Sequence, residues 1–574
     1  MPLQLADSLK TYTYDQDKAL APQETVRRFR ERLAGLQLDI LEEVRRIDRG
    51  RLGIPVYFSV CGRDARRIIG TRKQMGKGGT PEQAQASALM ELAERFSFFS
   101  FVKERPLPTA TCAQLEAAGA AVLPYEAIAR SVHDENAAAV RGLFAQVPMR
   151  WVSAHNLATG QERLLPLDWF YAINEFNGPS AGNTLEEAIS QGLCEVVERH
   201  VCALVAAGRL RTPAIDPASA RSEAARALLA KFAACGVRLA LRDFTLDTGI
   251  PTVAAIAWDP ATFPRRSEIV FTAGTTPGPE KALVRALTEV AQLAGDFNTP
   301  ARYVASGLPK FESLEEAAWV LEEPPDTLAL HELPDLSDAN IRVEVERLAQ
   351  ALGSRGLEPY VVDITHPELA VPAVYVIVPG AHFRERAMGS VGLFAAKLLS
   401  QSAAPGQALA TLAALERSFP GLHYLAFYRG QALLALERPA EALAEFLRAL
   451  ALKPREEERE SILTYAALCH RDLGQFEEAL TLLREALRLG ESAELHNQAG
   501  FCLYKLRRFE ESIESFRRAI DLDPAQAINH ANIGSNLREM GRLEEAAAHY
   551  ELALAIDPSL DFARECLARL RGGA

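Results

Sequence analysis

No apolar run in this chain approaches the ~18 residues needed to cross a bilayer. Its first residues, MPLQLADSLKTYTYDQDK, carry no basic-then-apolar export pattern. Neither a membrane partner nor export is expected. The eight cysteines, at 61, 112, 194, 202, 235, 469, 502 and 566, include no CxxC pair. That argues against zinc and disulfide frameworks and fits reduced, mostly buried thiols in a cytoplasmic protein. Basic residues are outnumbered, 63 Lys and Arg against 75 Asp and Glu, and the net charge of −12 argues against direct nucleic-acid binding. What remains is 48% hydrophobic and 24% charged over 574 residues, a composition that suits a globular protein of several domain-sized units.

The chain changes grammar near residue 404. Beyond it, Ala442, Ala479, Ser512 and Ala546 form a column stepping by 37, 33 and 34 residues. Each is followed four residues on by a large side chain (Phe446, Leu483, Phe516, Tyr550) and seven on by a small one (Ala449, Ala486, Ala519, Ala553). Gly430, Gly500 and Gly534 are read as opening helices, and Pro454, Pro524 and Pro558 as closing units. A 34-residue step is the signature of tetratricopeptide (TPR) helix pairs. The expectation is four pairs, a helix at about 406–419 before them and a capping helix at 559–571. Such arrays do no chemistry themselves; their concave face usually holds a peptide or another domain. Residues 1–395 instead alternate helical patterns with short strands such as IPVYFSV, RLALRDF, TVAAIAWD, YVVDIT and AVYVIVP. The expected architecture is α+β over 1–395, a linker at 396–405 and an all-α TPR solenoid over 406–574.

Before residue 300 a single helix pattern is written three times. TPEQAQASALMELAER (80–95) and TLEEAISQGLCEVVER (184–199) align without gaps, and GPEKALVRALTEVAQ (278–292) keeps their register. The shared positions are Glu91, Glu195 and Glu289, then Glu94, Glu198 and Gln292, with Ser87, Gln191 and Arg285 four residues before the first acid. Thr80 and Thr184 are expected N-caps, with Gln83 and Glu187 at the capping-box position and Pro81 and Pro279 in the first turn. Small-residue turns, GKGG, SAGN and GTTPG, precede each helix and could present N–H groups to an anion. The acids lie ~16 Å further along the axis at ~1.5 Å per residue, so one phosphate cannot touch both ends of one helix.

A single acidic stripe is more often a solvated face than a site. Three stripes in one register, on helices otherwise apolar around their circumference, shift that balance. Carboxylates aimed at a common place repel unless cations stand among them, and carboxylate-only ligation suits Mg²⁺ with phosphate and water filling its other positions. Arg199 and Arg285 supply charge for a phosphate chain. The pattern is not a Walker site, because GTRKQMGKGG has one residue too many and no Ser or Thr after Lys77.

These segments, together with PVYFSVCGRD and the late DIT…VPAVYVIVPG, resemble the nucleotide-site segments of the YcaO family. The resemblance spans most of residues 15–390. It implies an ATP-binding fold whose Glu-bearing helices hold Mg²⁺ around the triphosphate. Family members use ATP to activate a peptide amide oxygen, typically by phosphorylation, for azoline, thioamide or amidine formation. Position by position, it assigns Glu91, Glu94, Glu195, Glu198, Glu289 and Gln292 to Mg²⁺. It assigns Ser87, Ser180, Asn183, Arg199 and Arg285 to the nucleotide, with Lys18 and Thr25 as a weaker N-terminal feature. His200 stands where many members have Asp, and Lys77 faces substrate, phosphate or solvent. No catalytic residue is identified. Azoline-forming members tend to end in a Pro-rich tail, whereas this chain ends in ECLARLRGGA after the array. Some relatives with helical repeats resemble accessory factors for ribosomal-protein methylthiolation. Three functions therefore stand open: an ATP- and Mg²⁺-dependent amide-activating enzyme with a TPR-recruited client, an ATP-binding accessory factor for a separate modifying enzyme, and a scaffold. A peptide or protein client is the expected partner, and a homodimer follows by resemblance.

Overall fold

A computed structural model describes residues 3–572, except 133, 135, 300–302, 304–306, 323, 325, 385–388, 402, 403, 524 and the side chain of 457. The chain forms two compact units, Met1–Glu135 with Met149–Ser390, and Asn136–Pro148 with Val391–Ala574.

In the first unit all five strands expected from the sequence form, at Val56–Cys61, Arg238–Asp243, Thr252–Trp258, Tyr360–Asp363 and Ala373–Ile377. They belong to a three-, a five- and a six-stranded sheet. The three related segments form the helices Pro81–Glu104, Leu185–Gly208 and Pro279–Ala294. Each follows a strand of a different sheet: Lys73–Lys77, Pro179–Ala181 and Val270–Thr275. The first helix lies on its own strand and on Pro179–Ala181. The second lies on Pro179–Ala181 and Val270–Thr275, and the third on Val270–Thr275 and Lys73–Lys77. Strands and helices thus alternate around a closed ring.

That ring explains the sequence composition. Thr252–Trp258 is buried on both faces, Ala254 and Ile256 against the second helix and Val253, Ala255 and Ala257 against the third. A strand covered on both sides reads as a continuous apolar run, hence TVAAIAW. Close approach is secured by small residues at one repeated position, 76, 180 and 274. A Cβ on Gly76 would lie 2.0 Å from the Ala88 nitrogen, and one on Gly274 2.4 Å from the Ala282 oxygen. Ser180 is tolerated at the third such place because Gly192 faces it, and its Oγ donates to the Ala188 carbonyl at 2.7 Å.

The second unit is helical. Four pairs occupy His423–Ala435 with Pro439–Ala451, Glu456–Asp472 with Phe476–Leu489, Ala493–Lys505 with Phe509–Leu522, and Ala527–Glu539 with Leu543–Ile556. Pro405–Ser418 precedes them and Asp561–Gly572 follows, close to the expected flanking helices. The Ala/Ser column and its large and small partners are all buried. The glycine reading needs correction. Gly430, Gly500 and Gly534 sit inside the first helix of a pair, where Cβ atoms would meet the rings of Phe446, Phe516 and Tyr550 at 2.6, 2.9 and 3.0 Å. They make room for the aromatic four residues beyond the Ala/Ser column and open no helix. Pro454 and Pro558 follow helix ends, while Pro524 lies outside the described residues. The expected linker at 396–405 is also corrected. The helix Val391–Gln401 runs through that boundary and buries Val391, Phe394, Ala395, Ala396 and Leu399. Residues 136–148 join the same unit, with Phe144 6.4 Å from Phe394 between ring centres.

Candidate functional site

Around the ring, each motif helix exposes one residue in four: 91, 95 and 99; 191, 195 and 199; 281, 285 and 289 are half-buried, and the three between are buried. Strands flank every helix, so over these stretches one narrow stripe escapes full burial. Glu94 and Glu198 sit deeper, 7% and 2% exposed. The stripes are not solvated faces.

Three seams separate the strand–helix units, and the chain closes two of them. Between the second and third units, Glu198 accepts from the Thr275 N–H at 3.2 Å and from Arg285 Nε at 3.3 Å. Between the third and first, the Lys77 ammonium pairs with Glu289. Lys77, Ala181 and Thr275 hold one repeated position, the last residue of each strand. Ala181 has no side chain that could reach across as the Lys77 ammonium does. There, between the first and second strand–helix units, opens a cleft of ≈ 740 Å³, its solvent mouth included. Lys18, Thr25, Ser87, Glu91, Glu94, Asn183 and Arg285 line it, with Lys77, Ala181, Glu187 and Gln191.

Charge in this region is finely matched. Arg95 approaches Glu91 at 3.0 Å and Glu94 at 3.4 Å. Burial, reinforced by the Glu91 charge, holds the Glu94 carboxyl well above its ordinary range. Burial also raises Glu195, against the pull of Arg199 and Arg95. Burial pushes Glu289 up too, but Lys77, Arg199 and Arg285 outweigh it and the group lies below its ordinary value. Burial lowers Lys77 despite Glu289. The helices therefore bring five carboxylates within reach of one another's charge, and four protein cations stand among them. Cys194, on the second helix, is pushed by burial up to about 12, so its thiol is protonated and no nucleophile.

Sequence reasoning missed Glu187, having read it as a capping residue. Thr184 does accept from the Glu187 N–H at 3.2 Å. The carboxylate turns elsewhere: it accepts from Ala19 N–H at 2.9 Å and Asn183 Nδ2 at 3.1 Å, and faces Lys18 at 3.6 Å. Asn183 in turn accepts from Thr25 Oγ1 at 3.0 Å, which joins three of the expected nucleotide residues in one network. No sequence signal marked it: its burial and its approach to the segment carrying Lys18 are features of the fold.

Three expectations change. Ser180 is fully buried and spends its hydroxyl on Ala188, so its assignment to the nucleotide is corrected. The small-residue turns do not await an external anion in two of three cases: the Gly79 N–H meets Asp15 Oδ2 at 2.6 Å, and the Asn183 N–H meets Glu187 Oε1 at 3.3 Å. The carboxylates are not gathered at a single point; the ring distributes them over its seams, and Gln292 stands half-buried one turn past Glu289. His200 is structural, accepting from the His382 N–H at 2.9 Å.

Glu94 answers whether these residues suit Mg²⁺ and a nucleotide. Its Oε1 is buried and accepts no hydrogen bond, Arg95 Nε standing 3.4 Å away as an ion-pair partner only, beside a cleft whose other walls bring Lys18 and Arg285. Such an oxygen, lining the cleft together with Glu91, suits Mg²⁺ held by one or two acids. Among the described residues no three His, Cys, Asp or Glu stand together as a group that could hold a metal ion by itself. That accords with an ion completing its shell from phosphate oxygens and water.

Residues 75–382 match the family model described as YcaO cyclodehydratase, ATP- and Mg²⁺-binding. The chain belongs to the YcaO family. Its YcaO region has the ATP- and Mg²⁺-binding architecture of an enzyme of this family. An uncharacterized protein of Methanothermobacter thermautotrophicus is 31% identical over 388 residues, 63% of this chain and 94% of that one. An uncharacterized protein in the tfuA 3′ region of Rhizobium leguminosarum bv. trifolii is 28% identical, over 63% and 88%. Among solved structures, YcaO from Methanopyrus kandleri bound with AMPPCP and Mg²⁺ aligns with TM-score 0.50 at 25% identity, over 65% of this chain and 94% of that one. A heterocyclase in complex with substrate and cofactor aligns with TM-score 0.55 at 26% identity, over 67% of this chain; the chain spans 55% of that longer protein. Residues 395–457 and 491–559 match tetratricopeptide-repeat models, and 437–519 match anaphase-promoting complex subunit 3. The fold is YcaO-type α+β followed by a TPR solenoid. Among the described residues no helix is long and apolar enough to cross a membrane.

Proposed function

We propose that the YcaO unit uses Mg²⁺ and ATP to activate a backbone amide of a peptide or protein client by phosphorylating its oxygen, and that the TPR array selects the client. The observation that carries this is the open seam, where the Glu94 oxygen that accepts no hydrogen bond adjoins a cleft edged by Lys18, Thr25, Asn183 and Arg285. Mg²⁺–ATP supplies the electrophilic phosphoryl group that turns an amide oxygen into a leaving group. Glu91, Glu94, Glu195, Glu198 and Glu289, with Gln292, would hold Mg²⁺, and Glu94 and Glu195, which burial disfavours as free anions, gain most from it. Arg285 and Arg199 would balance the phosphates. The Lys18–Glu187–Asn183–Thr25 network fixes the orientation of the Asn183 amide and holds the N-terminal segment against the cleft. The M. kandleri relative, bound with AMPPCP and Mg²⁺, supports the cofactor pair. For the array, the support is its repeat architecture, in which the Ala/Ser column and its large and small partners are buried.

The test is mass spectrometry of total protein from a strain lacking this chain. A modification lost there should return with the wild-type chain and not with Glu195→Gln. If purified wild-type chain with Mg²⁺ and ATP restores it on the isolated client, the chain is the enzyme. Restoration only with a second protein present would assign it the accessory role.

A further inference from the structure

Two seams of the ring are closed by different means. Glu198 is met by Thr275 and Arg285, both of the third unit. Glu289 is met by Lys77, reaching from the first unit's strand to the third unit's helix. Lys77 also lines the cleft, so its ammonium stands between a carboxylate and the space open to ligands. The pair is neither sealed nor solvated, at 18% and 16% side-chain exposure.

The backbone at Lys77 cannot shift. On its one side a Cβ at Gly76 would lie 2.0 Å from the Ala88 nitrogen, and on its other a Cβ at Gly78 would lie 2.7 Å from the Ala84 nitrogen. Both glycines press the chain onto the first helix. The four-carbon stem is therefore the only part free to swing, and a lysine head is a compact point charge that exchanges partners readily. Arg285, by contrast, emerges from mid-helix.

We propose that Lys77 is a displaceable counter-cation, neutralising Glu289 before Mg²⁺ binds and giving way to the ion when it does. The inference rests on the assignment of Glu289 to Mg²⁺. Mg²⁺ and an ammonium on one half-buried carboxylate repel each other, so the ion competes with Lys77 for Glu289. The released head lies in a cleft also edged by Lys18 and Arg285, where a phosphate chain can receive it. ATP then assists Mg²⁺ by accepting the displaced charge. Lys77 is a positioning residue in this scheme. Its pairing sets how strongly the ion and the nucleotide depend on each other.

Thermal unfolding of the full chain across a MgCl₂ series, with and without ATP, tests this. Lys77→Met should lower the unfolding temperature without Mg²⁺ and reduce the half-maximal Mg²⁺ concentration about tenfold or more, because the competitor is gone. ATP should then improve Mg²⁺ binding less than it does in wild type. Lys77→Arg, whose forked head grips a carboxylate harder, should shift the Mg²⁺ response the opposite way. An unchanged or raised half-point in Lys77→Met overturns the inference. If Lys77→Met does not fold, an unchanged or lowered half-point in Lys77→Arg overturns it. Glu289→Gln separates the two levels: if it weakens Mg²⁺ binding while the Lys77 variants do not move it as stated, the counter-cation idea alone fails. If it leaves Mg²⁺ binding intact, Glu289 is not a metal residue and both fail.

Discussion

Glu94 is a buried carboxylate placed beside another, with an oxygen that accepts no hydrogen bond. Its folded-state value lies above the unfolded one, so its ionisation opposes folding: stability is lost as pH rises from the ordinary carboxylate range toward the raised value. Glu94→Gln should therefore raise the stability of the ligand-free chain at neutral pH, by about 1–3 kcal/mol, while removing the extra thermal shift that Mg²⁺ and ATP together give. Denaturant melts at pH 7, with and without both ligands, read both effects. A less stable ligand-free variant would mean that Arg95 already compensates Glu94 in full. At this scale the sequence is most explicit, because three copies in one register single out Glu91, Glu195 and Glu289 as candidates without any knowledge of the fold. Ser180 was misread for the same reason. A serine before a glutamate-bearing helix suggests a ligand, and only Gly192 across from it reveals that the hydroxyl is spent on packing.

Among the elements, strands and repeats were legible and their neighbours were not. TVAAIAW and AVYVIVP announce strands, but nothing in either says that a helix from one unit also lies on the strand of the next. Ring closure depends on long-range packing, and the distribution of acids among seams follows from it. Glycines test the packing. Gly76→Ala would set a Cβ against backbone atoms at 2.0–2.5 Å that have no side-chain freedom. It should cost about 3 kcal/mol or more and abolish the joint response to Mg²⁺ and ATP. Gly500→Ala meets the Phe516 ring at 2.9 Å and should cost about 1–3 kcal/mol, leaving that response intact. Calorimetric unfolding with and without both ligands separates the two; loss of the response in Gly500→Ala would show that the array contributes to nucleotide binding.

For the molecule as a whole, the boundary was the least legible feature. Residues 136–148 carry buried Val140, Leu143, Phe144 and Val147, which in a sequence look like any core. A YcaO-only chain therefore has to end at 390 and also exchange 136–148 for a short flexible loop, or it will expose those side chains and aggregate. Made that way, it should retain Mg²⁺–ATP stabilisation, since every acid of the ring precedes residue 290. It should lose modification of the intact client and keep activity on a short peptide at high concentration. Full activity on the intact client would remove the array from client selection.

The excursion at 136–148 has a further consequence. An appended cassette hangs by one covalent thread, whereas this array is stitched to its neighbour at three points along the chain: before 136, after 148 and before 391. One protease nick near 390 therefore cuts the polypeptide without releasing the array, because a buried strip of the N-terminal fragment stays folded within it. The two units are joined so that no single cut separates them.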